Sequence, residues 1–226
     1  MDMLGKDVRE ATRKRFDAEL AGPVTMRHFT GKQSRLVLPG ALRSQDCFFC
    51  RETRQLLEEV AALSDKIDLK ILDFKAEAEK AAAFGVDKIP ATVLAGALDY
   101  GIRFFGIPSG YEYSSLVEAL IDVSRGTSSL SPKAKEALKA VDRKIHIQVF
   151  ITPTCAYCPQ AVRLAHQFAL ESPFITADMI ESQEFPELSD RFNVRGVPKT
   201  VVNGIYTIEG AAPEDTVLET ILKVLA

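Results

Sequence analysis

At 226 residues the chain suits one large or two small domains, and its 46% apolar content is that of a globular protein with ample core. A net charge of −3 argues against a nucleic-acid surface, and no run of 18 apolar residues marks a membrane span. The opening Met1 to Glu10 is charged and lacks the apolar stretch of a secretory leader, so a cytoplasmic protein is expected.

Leu4, Val8, Thr12, Phe16 and Leu20 recur at four-residue steps and predict a helix over 6–20, stopped by Gly22-Pro23. Its basic Arg13-Lys-Arg15 is broken up by Asp7, Glu10, Asp17 and Glu19, which reads as a solvated helix face. Val24–Thr30 is a strand pattern. Residues 31–46 break the periodicity: Gly31, Pro39 and Gly40 mark turns, and Leu36–Leu38 suit a short strand or flap. Cys47-Phe-Phe-Cys50 then heads a helix to about Leu63, with Leu56, Leu57, Val60 and Ala61 as its apolar stripe. A strand over 67–74, a helix over 76–84 closed by Gly85, an antiparallel strand pair at 91–95 and 102–105, and a helix over 114–124 complete a first unit. The polar stretch 125–132 is a linker, and Ser131-Pro132 opens the next helix with Pro at its first position. The second unit has strand 145–151, Cys155-Ala-Tyr-Cys158, a helix to about Leu170 with Pro159 at its start, strand 174–180, helix 186–192, strands 198–203 and 205–209, and helix 214–225.

All four cysteines fall in two Cys-x-x-Cys pairs, which in a cytosolic chain means metal binding or redox chemistry rather than a structural disulfide framework. Each pair sits where a strand pattern hands over to a helix. A helix N-terminus offers free N–H groups and the positive end of the dipole, which favour a thiolate, the nucleophile of disulfide exchange. A Cys-x-x-Cys at such a junction reads as a thioredoxin-like redox site.

The two units are one motif repeated. Cys47 to Pro90 is 43 positions, as is Cys155 to Pro198. A shift of 108 lays Phe84-Gly85-Val86 on Phe192-Asn193-Val194 and Ile89-Pro90-Ala91-Thr92-Val93 on Val197-Pro198-Lys199-Thr200-Val201. The predicted domains are therefore 1–124 and 125–226. A proline heading an apolar strand belongs at its start or edge, and the repeated spacing predicts a cis bond at both. Ile89-Pro90 and Val197-Pro198 would then offer backbone beside the sulfurs for an extended substrate segment to pair with.

Thr152-Pro-Thr-Cys-Ala-Tyr-Cys-Pro159 with Ala161-Val-Arg163, Gly196-Val-Pro-Lys-Thr200, and Gly101-Ile-Arg-Phe-Phe-Gly-Ile-Pro-Ser-Gly110 resemble the protein disulfide oxidoreductases of thermophilic bacteria and archaea, often called glutaredoxin-like. The resemblance spans nearly the whole chain. It implies an α/β fold of two tandem thioredoxin-like units, each a four-stranded mixed sheet flanked by helices, a hot source, and dithiol–disulfide exchange with protein substrates, with isomerase behaviour in some members. Two departures stand out. Ala156 follows the first cysteine of the second pair where the family often has proline, and residues 31–46 exceed the three-residue approach Thr152-Pro153-Thr154.

In this reading Cys155 attacks and Cys158 resolves, as do Cys47 and Cys50, because the first cysteine sits at the helix mouth and the second lies a turn inside. The shorter approach favours the second pair as the more accessible. Phe48-Phe49 suit a substrate patch or packing under residues 31–46 equally. Asp73 and Glu181 correspond under the shift; either could accept a thiol proton, but solvated strand-end charges are the preferred reading. His28, His146 and His166 lack partners in the repeat and read as structural.

Two other functions compete. A four-cysteine zinc site requires the pairs to converge, against their 105-residue separation. An electron relay between a flavoprotein reductase and a peroxiredoxin resembles the tandem region of the alkyl hydroperoxide reductase flavoprotein. No Gly-x-Gly-x-x-Gly occurs, so no cofactor is expected on this chain and flavin would be held by a thioredoxin-reductase-like partner. Gly210-Ala-Ala-Pro-Glu-Asp215 keeps only part of the turn typical of glutaredoxins, so protein dithiols rather than glutathione are the expected reductant. Neither nucleic acid nor membrane is an expected partner.

Overall fold

The computed structural model describes residues 2–31 and 47–225. The turns and short strand or flap expected at Pro39, Gly40 and Leu36–Leu38 lie outside these residues. Among the described residues, eight strands, β1 Val24–Thr30, β2 Ile67–Asp73, β3 Ala91–Ala95, β4 Asp99–Phe105, β5 Ile145–Ile151, β6 Ile175–Glu181, β7 Lys199–Val202 and β8 Tyr206–Glu209, form one mixed sheet in the order β2-β1-β3-β4-β6-β5-β7-β8. The second four strands repeat the order of the first. The expectation of two separate four-stranded sheets is corrected here: β4 and β6 pair in parallel, Ile102 to Phe105 opposite Ala177 to Ile180, and join the halves into a single sheet. β4 also begins at Asp99, three residues earlier than expected, after a bulge at Leu94/Ala95.

The helices are α1 Lys6–Glu19, α2 Cys50–Ala61, α3 Ala78–Ala83, α4 Tyr113–Arg125, α5 Pro132–Leu138, α6 Cys158–Glu171, α7 Pro186–Arg191 and α8 Glu214–Lys223. Buried side chains of α2, α4 and α6, among them Leu57, Leu120 and Phe168, share the larger core with Met26, Phe104, Ile147 and Met179 of the strands. The opposite sheet face, Phe29, Phe105, Phe150 and Ile180, is covered by the segments around α3 and α7. Adjacent residues such as Phe104 and Phe105 therefore serve different cores, as the two-residue period of a strand requires, and strands covered on both faces read as near-continuous apolar runs.

The short helices α3 and α7 end alike. Gly85 N–H bonds Ala82 O at 3.0 Å and Val86 N–H bonds Ala81 O at 2.8 Å; Asn193 N–H bonds Asp190 O at 3.0 Å and Val194 N–H bonds Ser189 O at 2.9 Å. Gly85 and Asn193 are both left-handed, at φ 67° and 51°, the geometry that closes a Schellman cap. This explains the Gly-for-Asn correspondence at a shift of 108.

At the junction of the halves, Arg103 of β4 lies opposite Asp178 of β6. Its Nε donates to Asp178 Oδ1 at 2.6 Å, and the other oxygen of Asp178 meets His146 Nε2 at 2.6 Å. The guanidinium also donates to the Phe84 and Gly85 carbonyls at 3.4 and 3.2 Å. Asp178 is fully buried, and although burial alone would raise its carboxyl, His146 and Arg103 hold it below the ordinary aspartate value. Arg103→Met should destabilise by about 3–5 kcal/mol in denaturant unfolding, since it strips a buried carboxylate of its main partner. A paired Arg103→Met/Asp178→Leu replacement should recover much of that loss. The pair's contribution should be full above about pH 3.9 and fade as pH falls through the depressed folded-state value.

Candidate functional site

β1, β4, β5 and β6 all run parallel, so their C-terminal ends share one sheet edge, where β3 and β7 begin. Both cysteine pairs sit there. The first adjoins the end of β1, because Gly31 N–H reaches Cys50 Sγ at 3.4 Å. The second follows β5, with Cys155 N–H on Thr152 O at 3.1 Å. With β3, β4 and β6 between them, the pairs stand four strand spacings apart, roughly 19 Å. A converging four-cysteine arrangement is not formed, and each pair is its own disulfide, with Cα–Cα distances of 5.4 and 5.5 Å.

Cys50 and Cys158 are the first residues of α2 and α6, so each disulfide lies at the N-terminal, N–H-rich end of its helix. Pro159 at the second helical position removes a donor that has no intrahelical acceptor. The sites differ in access. Cys155 is partly exposed and Cys158 buried, whereas Cys47 and Cys50 are both buried, so the contrast between a mouth cysteine and a covered one is drawn in the second pair and nearly lost in the first. The residues inside the motifs face outward: Phe48 is 61%, Phe49 43% and Tyr157 72% exposed.

The bonds Ile89-Pro90 and Val197-Pro198 are cis. Cys155 Sγ lies 3.7 Å from the Val197 carbonyl oxygen. Ile89 packs at the end of β1, where a Cβ on Gly31 would come within 2.8 Å of its Cδ1. Pro90 and Pro198 are buried, and their carbonyls accept from Gly106 and Gly210 N–H at 2.9 and 2.8 Å.

The histidines are structural in placement. His28 meets Thr92 Oγ1 at 3.1 Å, and His166 packs edge-on against Phe104; burial pushes both down to about 4, so they are neutral. Asp73 is exposed and caps Lys75 and Ala76 N–H at 3.0 and 2.9 Å. Its counterpart Glu181 is not the solvated charge expected: it is buried, burial raises its carboxyl, and its Oε2 accepts from Glu184 N–H at 2.6 Å.

One further carboxylate went unflagged by sequence reasoning. Glu112, in the 3-10 turn Gly110–Glu112, is fully buried with neither oxygen in a well-formed hydrogen bond. Burial pushes it up to about 7, tempered by the Ser115 hydroxyl. The turn packs against α6, and Tyr111 N–H bonds Pro153 O at 3.0 Å, five residues before Cys158. Gly110, at φ 61°, has no room for a Cβ against that same carbonyl. The run Gly101–Gly110 is thus where the first half docks on the approach to the second cysteine pair. Only the acid between Tyr111 and Tyr113 hinted at it in the sequence.

A thioredoxin-domain family model matches residues 145–223. The alkyl hydroperoxide reductase AhpF of Staphylococcus aureus is 30% identical over 158 residues, 68% of this chain and 28% of that protein. The NADH dehydrogenase of Bacillus subtilis is 30% identical over 149 residues, 66% and 27%. The chain spans just over a quarter of the length of these curated relatives. Among solved structures, a protein disulfide oxidoreductase from Aeropyrum pernix superposes with a TM-score of 0.85 at 30% identity, covering 98% of this chain and 93% of that one. A mutant of the alkylhydroperoxide reductase AhpF from Enterococcus faecalis also gives 0.85, at 28% identity, covering 97% and 99%. Among the described residues no helix is long and apolar enough to cross a membrane.

Because the carboxyl of Glu112 is raised in the folded state, the stability tied to its protonation is full below about pH 4.5 and is lost as pH rises through about 7. Oxidised wild type should therefore lose up to about 3 kcal/mol relative to Glu112→Gln across that window, measured by denaturant unfolding at each pH.

Proposed function

From the premise that the chain belongs to the protein disulfide oxidoreductases, α/β thioredoxin-fold proteins that exchange dithiols and disulfides, we propose that it acts on protein substrates mainly through Cys155 and Cys158. The observation that carries this is the partly exposed Cys155 at the mouth of α6 beside the Val197 carbonyl, against a buried Cys47 in the first pair. In the reductase direction the Cys155 thiolate attacks a substrate disulfide sulfur. The substrate's S–S bond breaks, a mixed disulfide forms, and one substrate thiolate leaves. Cys158 then attacks Cys155 Sγ, releasing the second substrate thiolate and closing the intramolecular disulfide. Two electrons pass to the substrate, and a partner dithiol restores the enzyme.

Ile89-Pro90 and Val197-Pro198 are the proposed backbone ledges for an extended substrate segment, and Cys47 and Cys50 the second, less accessible centre. Residues 1–124 and 125–226 are the proposed tandem thioredoxin-like units. The repeated strand order and the paired helix caps support that division. Cytoplasmic action fits the dithiol chemistry.

A second reading is a relay from a thioredoxin-reductase-like flavoprotein to a peroxiredoxin. It is favoured by the likeness to the alkylhydroperoxide reductase AhpF over 97% of this chain. In insulin reduction, Cys155→Ser/Cys158→Ser should lose at least about tenfold in turnover, an effect of about 1.4 kcal/mol, while Cys47→Ser/Cys50→Ser keeps most of it. The reverse pattern would overturn the assignment. Turnover with a purified flavoprotein reductase that appears only when a peroxiredoxin is added would favour the relay over general reduction of protein disulfides.

A further inference from the structure

Between the two cysteine pairs, at the ends of β4 and β6, lies a cavity of about 210 Å³. Phe49, from inside the first Cys-x-x-Cys, forms part of its wall, and so does Pro153, two residues ahead of Cys155. Ile107 adds a further apolar surface, and Glu52, Glu181 and Glu184 bring three carboxylates.

These carboxylates are incompletely satisfied. Glu184 Oε1 accepts from Ile107 N–H at 2.6 Å, Glu181 Oε2 from Glu184 N–H at 2.6 Å, and Glu52 Oε1 from Arg51 at 3.0 Å. The other oxygen of each is buried without a partner, and Glu181 is only 2% exposed. The arrangement is built in by close packing. A Cβ on Gly106, at φ 92°, would fall 2.6 Å from Glu181 Cβ and 2.7 Å from Glu184 Oε1. Unpaired acceptors cost free energy, so a site that holds three of them together is matched to a donor that arrives from outside.

We propose that this cavity receives the Lys or Arg side chain of a polypeptide redox partner whose disulfide or dithiol engages a flanking cysteine pair. A long basic side chain lays its aliphatic stem along apolar walls such as Phe49, Ile107 and Pro153 and carries its donors to the carboxylates. An apolar side chain would leave the oxygens unpaired, and an acidic one would be repelled. Burial, with Glu181 and Glu52 nearby, pushes Glu184 up to about 7, and a cation relieves that repulsion. Among the described residues no group of three or more His, Cys, Asp or Glu side chains is placed to hold a metal ion. The occupant is a polypeptide because the cavity lies within the footprint of any partner reaching the Phe49 or Pro153 side of a thiol site.

This rests on the disulfide-exchange reading, and the test separates the two. Peptide disulfides that differ only in Lys, norleucine or Glu, scanned through positions flanking the cysteine, are reduced by wild type, Glu184→Gln and Glu52→Gln. Peptides with Ser in place of Cys are bound by fluorescence anisotropy. At the best position wild type should prefer Lys over norleucine by about tenfold in kcat/KM and in affinity. Both variants should shrink that ratio to within about twofold while reducing the norleucine peptide at the wild-type rate. No Lys preference in either assay, or the same preference in both variants, overturns the proposal. Loss of reduction of every peptide with the anisotropy preference intact would instead overturn the exchange reading.

Discussion

The parallel pairing of β4 with β6 is the contact from which the rest of the site follows. Its backbone ladder is indifferent to register, but Arg103 is not: a one-residue slip would set the guanidinium against Met179 and leave Asp178 alone with His146. A buried ion pair contributes little net stability relative to apolar packing, yet a mismatched one is costly, so its effect falls on the choice of arrangement. That choice aligns the parallel strands of both halves and brings both disulfides, both cis prolines and the loops after β4 and β6 to one edge.

Much of this was legible in the sequence because it rests on short-range physics. The strand and helix periods, the glycine closing α3, the proline opening α5 and the equal Cys-to-Pro spacing all follow from local geometry. What escaped depends on groups that meet only in the folded chain. Arg103 and Asp178 are interior charges of strands whose other charge, Asp99 or Glu181, stands at an end; they are 75 positions apart, and nothing local says that they pair. Glu112 and Glu181 look like turn and strand-end charges; their burial is a product of packing. The same holds for Cys47, whose motif is as plain as that of Cys155 but whose exposure differs.

Among the described residues, the buried carboxylates that lack a partner gather where the chemistry is expected. Glu52, Glu112, Glu181 and Glu184 all keep a buried carboxylate oxygen without a partner, and all lie at or beside the edge that carries the thiols. Away from that edge the charges are mostly ordinary surface pairs such as Arg54–Glu58 or Arg15–Glu19. Carboxylates left open along one edge make it locally unoptimised for stability there, the pattern expected where binding or proton transfer takes precedence.

The spacing of the two disulfides limits what the molecule can do alone. Thiol–disulfide exchange requires sulfur to touch sulfur, and roughly 19 Å of hydrogen-bonded sheet separates the two centres. On the proposed function the two centres would act as separate two-electron stores, with no direct sulfur-to-sulfur path between them in this arrangement. Any levelling between them runs through a diffusing thiol or a second molecule. A half-reduced population would then keep a memory of which centre was loaded, on the timescale of that traffic rather than of the protein's own motions.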